Sequence, residues 1–162
     1  MKFRNLFFVI VAIAPFLGLF GCANVPVAPI ENDKDAKSFR SPKVGMSNLY
    51  LVRNTLFGQT SVLELSINGL PVAKTAPRTY VKFELPPGRY YIGSRGENYD
   101  QKVFDLVEGE TYFVWQRVWT GWNDFRTELI QLPQSEGRAA VLESTFTIKL
   151  IDDKDIAPIR AK

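Results

Sequence analysis

Three tryptophans fall within eight residues, in the run Trp115-Gln116-Arg117-Val118-Trp119-Thr120-Gly121-Trp122. Indole rings offer flat apolar area with one polar edge. That chemistry stacks on a sugar ring or anchors a partner protein. Arg117 and Asp124 lie nearby as polar handles. On a strand, Phe113, Trp115, Arg117 and Trp119 share one face, while Val114, Gln116 and Val118 take the other. Trp122 falls in the following turn and is the tryptophan expected to be exposed. Large aromatics also fill the interior of β domains, so a packing role for these residues stands beside the binding one.

Other chemistry is sparse. The chain has no histidine. Missing with it are the commonest general base, the commonest zinc ligand and any Ser-His or Cys-His nucleophile pair. The single cysteine, Cys22, excludes an internal disulfide and a cysteine-cluster metal site. Asp152-Asp153-Lys154-Asp155 lacks the turn glycine and distal glutamate of a calcium loop, and reads as a solvated charge run. Gly93-Ser94-Arg95-Gly96-Glu97 opens no helix and lacks the Lys-Ser/Thr of a phosphate loop. Serine, lysine and carboxylates are present, so a hydrolase with unusual residues is a third reading, without local spacing to support it. The expectation is a non-enzymatic protein with no catalytic residue, no metal and no cofactor.

The residues around Cys22 specify location. Lys2 and Arg4 precede Leu6 to Phe20, a run of 15 residues that is apolar apart from glycine and proline. That is short of the ~20 residues a bilayer span needs, and Pro15 weakens a permanent membrane helix. The segment reads as an export signal over 1–21. Leu19-Phe20-Gly21-Cys22 resembles the bacterial lipobox, with cleavage between Gly21 and Cys22 and acyl chains on the cysteine. Phe20 departs from the small or hydroxyl residue usual there. Ordinary cleavage after Gly21-Cys22-Ala23 is the alternative and leaves a soluble periplasmic protein. Several acyl chains anchor firmly where one holds only marginally, since each buried methylene contributes about 0.8 kcal/mol. The lipobox resemblance implies that Ala23, rather than an aspartate, after the cysteine sends the protein to the outer membrane, facing the periplasm. Beyond Lys2 and Arg4 the chain carries 18 basic and 17 acidic residues. That balance offers no footprint for nucleic acid.

Residues 22–45 carry Pro26, Pro29 and Pro42 among polar residues, with scattered apolar ones. This is spacer composition, and a flexible leash of this length reaches about 25–30 Å. From Met46 to Leu150 the pattern becomes short runs of strand formers broken by Gly, Pro and Asn. Strands are expected at 47–53, 60–67, 70–74, 79–85, 89–94, 101–107, 111–119 and 125–132, with an edge strand at 145–150. Asn68-Gly69 is a strong hairpin signal, because both residues tolerate positive φ. A short helix is expected from Ser135, weakened by Gly137. The spacing predicts an all-β antiparallel sandwich of about 7–9 strands with one helix near its end, followed by a loose charged tail over 151–162.

Three ordered stretches carry a family resemblance. They are Ser66-Ile67-Asn68-Gly69-Leu70-Pro71-Val72-Ala73, Tyr80-Val81-Lys82-Phe83-Glu84-Leu85-Pro86-Pro87-Gly88-Arg89-Tyr90 and Val107-Glu108-Gly109-Glu110-Thr111-Tyr112-Phe113. Together they resemble a domain of small bacterial lipoproteins related to PEGA-type domains, over about Asn48 to Leu150. The resemblance implies a β-sandwich in the cell envelope and no catalytic residues. The expected partners are the membrane through the lipid anchor, other envelope proteins and, as an alternative, peptidoglycan bound through Trp115, Trp119 and Trp122.

Overall fold

The computed structural model describes residues 24–159. The expected export signal, the Gly21–Cys22 cleavage site and lipidation at Cys22 lie outside the described residues. Nine strands form two sheets that pack as a sandwich, with two short helices. The strands are β1 (Ser47–Arg53), β2 (Leu63–Ile67), β3 (Leu70–Thr75), β4 (Thr79–Leu85), β5 (Gly88–Arg95), β6 (Tyr99–Leu106), β7 (Thr111–Thr120), β8 (Phe125–Leu132) and β9 (Thr145–Phe146). One sheet has the order β8-β7-β1-β4-β9, the other β3-β2-β5-β6. Helix α1 spans Ile30–Ala36 and α2 spans Gln134–Leu142.

Alternation fixes the inner faces. Val81, Phe83 and Leu85 of β4 point at the second sheet, where Leu65, Ile67, Tyr90 and Ile92 meet them in one buried cluster. Asn68 and Gly69 close the β2–β3 hairpin, both at positive φ (52° and 81°). The strands are not all antiparallel. β1 pairs parallel with β7, and β4 pairs parallel with β9. Both parallel partners are reached by crossovers: between β1 and β7 the chain visits the second sheet twice, as β2–β3 and as β5–β6, with β4 back in the first sheet between them. Local patterning sets which face of a strand is apolar, not the direction of a distant neighbour.

The outer face of the five-stranded sheet is covered, which corrects the expectation of a free spacer. Tyr50, Tyr80, Phe113 and Phe146 form an aromatic stripe across it, with ring centroids of 4.9 Å for Tyr50–Phe113 and 5.1 Å for Tyr80–Phe146. Residues 24–45 lie over this stripe as a strap. Val25 and Ala36 are buried, and Phe39 packs on Tyr50 and Phe113. The Tyr50 hydroxyl donates to the Ala36 carbonyl (2.8 Å), and the Tyr80 hydroxyl donates to Asp33 Oδ1 (3.0 Å). Burial pushes both phenols well above their ordinary range, with nearby Asp35 and Asp33 adding to the effect. Pro29 sets the start of α1, and Glu31 and Asp33 in its first turn suit the helix dipole. The strap's apolar residues show no period because only some of them, Val25, Ala36 and Phe39 among them, face inward, while Val27, Ile30 and Val44 stay exposed.

The described part of the tail, residues 151–159, is also docked rather than loose. Ile156 is buried, and the Ile159 amide donates to the Arg89 carbonyl (2.8 Å). Asn68 Nδ2 donates to the Ala157 carbonyl (2.7 Å). Asp153 accepts from the Glu84 amide and from Lys149 Nζ, so the acidic run is partly consumed by structure. Both sides of the sandwich are closed. Asn98 and Asp100 side chains accept from the β8 amides of Thr127 and Leu129 (2.8 and 2.6 Å). On the opposite side residues 145–150 bridge from β4 to β3, where the Leu150 amide donates to the Val72 carbonyl (2.8 Å). Closure of this kind removes the exposed edges that invite aggregation.

Candidate functional site

The hairpin between β7 and β8 is built rigidly. The Gly121 amide donates to the Asp124 carbonyl (2.8 Å). Glu97 Oε2, from the β5–β6 connection, accepts from the amides of Asn123 (2.7 Å) and Asp124 (3.0 Å). These backbone donors hold the Glu97 carboxyl below its ordinary range. A side chain at Gly121 would meet Glu97 Oε2 at 2.5 Å and the Asp124 carbonyl at 2.6 Å, so glycine is needed there. This frame holds Trp122 in solvent, 92% exposed.

The β1–β2 loop comes alongside the hairpin. Phe57 packs edge-on against Phe125 (5.6 Å), and Ser61 Oγ donates to Asp124 Oδ1 (3.4 Å). Leu56 (49%) and Phe57 (46%), in this loop, are also exposed. An open groove of about 510 Å³ runs between the two segments, lined by Thr60, Ser61, Thr120, Trp122 and Asn123. Asp124 and Phe125 also line it, so hydroxyls, an amide, a carboxylate and two aromatic rings make a surface that can stack an apolar ring and hydrogen-bond its rim.

Arg53 holds this loop from beneath. It ends β1 on the inward face and is fully buried. Its Nη1 donates to the Ser61 and Thr75 carbonyls (2.9 and 3.2 Å), and Nη2 to those of Gly58 and Phe57 (2.9 and 3.3 Å). Among the described residues no carboxylate pairs with it. Burial lowers its pKa to about 10, which leaves it charged at neutral pH. Four carbonyl dipoles therefore balance one buried cation. Gly58 (φ 75°) lets the loop wrap the guanidinium, since a Cβ there would sit 2.8 Å from Nη2.

The four residues singled out in the sequence divide. Trp115, Arg117 and Trp119 share the outer face of β7, as alternation predicts, but of the three only Arg117 is exposed. Arg117 stacks over Trp119 (5.7 Å) and pairs with Glu128 (3.6 Å). Trp115 is half-buried, and its Nε1 is enclosed without a partner. Trp122 alone reaches the end of the molecule, where Leu56, Phe57 and Ser61 join it. The sequence reading placed that loop but gave its Leu-Phe pair no role. The available signal was two adjacent large apolar residues inside a loop, where burial is not expected.

A polar chain between the sheets is the other buried feature. Thr75 Oγ1 donates to Gln116 Oε1, Gln116 Nε2 donates to Ser94 Oγ (2.7 Å), and Ser94 and Thr127 hydroxyls are 2.7 Å apart. It contains no ionisable group, and mutual bonding satisfies its members. Among the described residues no three metal-ligating side chains converge, and no helix is long and apolar enough to cross a membrane.

No family model matches the chain, and no solved structure matches it. An uncharacterized protein of Haemophilus influenzae is 30% identical over 132 residues, covering 80% of this chain and 78% of that protein. At that identity and coverage, the chain belongs to the same family as the Haemophilus influenzae protein.

Proposed function

We propose that this protein is a bacterial lipoprotein held through Cys22 in the outer membrane, whose β-sandwich is a non-enzymatic binding module in the periplasm. The lipobox resemblance of Leu19-Phe20-Gly21-Cys22 supports the anchor. The resemblance of the hairpin and Leu-Pro-Pro-Gly stretches to PEGA-related lipoprotein domains supports the cell-envelope setting. The observation that carries the binding role is Trp122, a large apolar side chain held in solvent by a hydrogen-bonded hairpin, next to the loop that exposes Leu56 and Phe57. Soluble proteins leave such clusters open where a partner covers them. The favoured partner is another envelope protein.

Crosslinking in cells from position 123, beside Trp122, is expected to capture one recurrent envelope protein, and adding Trp122→Ala is expected to lose it with the thermal midpoint unchanged. Recovery of the same partner with the alanine variant would remove the site. The hydroxyl-lined groove beside Trp122 favours a second reading, glycan binding. In that case muropeptides are retained by the unaltered chain and released by Trp122→Ala. For the anchor, Cys22→Ser is expected to move the protein from the membrane fraction to the soluble one. Unchanged membrane association would sink the lipid assignment.

A further inference from the structure

The strap changes the geometry of the anchor. Val25 is already buried, and the Pro26 carbonyl accepts from the Ile148 amide (3.1 Å) and the Thr147 hydroxyl (2.9 Å). Val25 is three residues along the chain from Cys22, a span of at most about 10 Å even when fully extended. A lipid on Cys22 would therefore hold the folded domain against the bilayer, not on a leash of about 25–30 Å.

The part of the molecule next to that attachment point is apolar. Pro26, Ile148 and Leu150 line a groove of about 230 Å³ along the side where residues 145–150 join the two sheets. Ile148 is 38% exposed and Leu150 50%. Exposed Lys74 flanks the groove and supplies a cation suited to anionic headgroups. Pro26 is four residues from Cys22, so the groove lies within about 14 Å of the acylated residue. We propose that this edge rests in the headgroup region of the bilayer that holds Cys22, and that the domain sits edge-on to the membrane. The proposal rests on the lipid-anchor reading. It also places the Trp122 end. β1 and β4 lie between β7 and β9, so β7, which leads into the hairpin, stands about 14 Å from β9. The binding end then projects into the periplasm, clear of the lipid.

The full-length acylated protein provides the test. With Cys22 acylated, one introduced cysteine is the sole thiol open to labelling. Ile148→Cys, Leu150→Cys and Trp122→Cys, all at exposed positions, are each labelled with an environment-sensitive fluorophore. The proteins are incorporated into phosphatidylethanolamine/phosphatidylglycerol vesicles that carry a headgroup nitroxide quencher. Labels at 148 and 150 are expected to lose most of their emission, and the label at 122 to keep most of its own. Protein that floats with the vesicles but is quenched equally at all three positions, or more at 122, overturns the edge-on arrangement and leaves the anchor standing. Protein that fails to float overturns the anchor and this proposal with it.

Discussion

Gly137→Ala is expected to destabilise the domain by on the order of 2 kcal/mol, although alanine is the better helix former by about 1 kcal/mol. The reason is the close approach of α2 to β7. Gly137 is buried under the helix, and a Cβ there would overlap the β carbon and ring of Phe113. Phe113 cannot swing aside, because Tyr50 stacks on it at 4.9 Å and Phe39 packs edge-on at 6.1 Å. The residue that weakened the helix in the sequence is the one that lets the helix dock. Urea denaturation of the chain from Ala23 onward gives the readout. In a Phe113→Ala background the sign should reverse, since the added methyl then enters vacated space, and the double-mutant cycle isolates that coupling. A higher midpoint for Gly137→Ala in the otherwise unaltered chain would show that α2 does not rest on Phe113.

Arg53→Ala is expected to cost more, about 3–5 kcal/mol, because buried carbonyls are left without a donor and a large side chain is removed from the interior. Four carbonyls lose their donor at once, and the vacated volume lies at the end of the core. Arg53→Lys should fall between, because an ammonium has three donors on a point charge and cannot fork to carbonyls on both sides. The loss should be local before it is global. The loop over 54–62, with Leu56 and Phe57, depends on the guanidinium for its shape, so limited proteolysis should cut there first in both variants. Thermal denaturation and the mapped cleavage site together check this. An alanine variant that keeps the original midpoint and resists proteolysis in the loop would falsify the clip. The same variant should weaken any partner that needs the Trp122 end, since Phe57 packs on Phe125 at the base of that hairpin.

The site was legible in part. Alternation along β7 correctly put Trp115, Arg117 and Trp119 on one face and left Trp122 in the turn. It did not bring Leu56, Phe57 and Ser61 to Trp122, because the β1–β2 loop and the β7–β8 hairpin meet only once β1 and β7 pair in parallel. Arg53 read as an ordinary end to a strand. Its charge is buried because the loop folds back and offers carbonyls, an arrangement with no sequence period. The strap misled for a related reason. Val25, Ala36 and Phe39 are too scattered to register as an amphipathic element, and their partner is the aromatic stripe on a sheet formed by residues far along the chain.

What the sequence determined by itself was the set of strands, the Asn68-Gly69 turn and the sandwich they imply. β1, β4 and β8 occupy the spans that alternation predicts, and such patterns arise from backbone geometry within a few residues. Only the tertiary structure decided that Tyr50 and Tyr80 are covered, that the segment after Cys22 is a strap, and that the tail docks beside Gly88, where Pro158 occupies the space a Cβ would take at 2.5 Å. The first two outcomes depend on a sheet face that does not exist until β7, β1, β4 and β9 lie side by side, and the third on β5 and the β2–β3 hairpin meeting in the other sheet. A strand's pleat declares which of its faces is apolar. Only the assembled sheet shows how much area is left over, and so which distant segment must cover it.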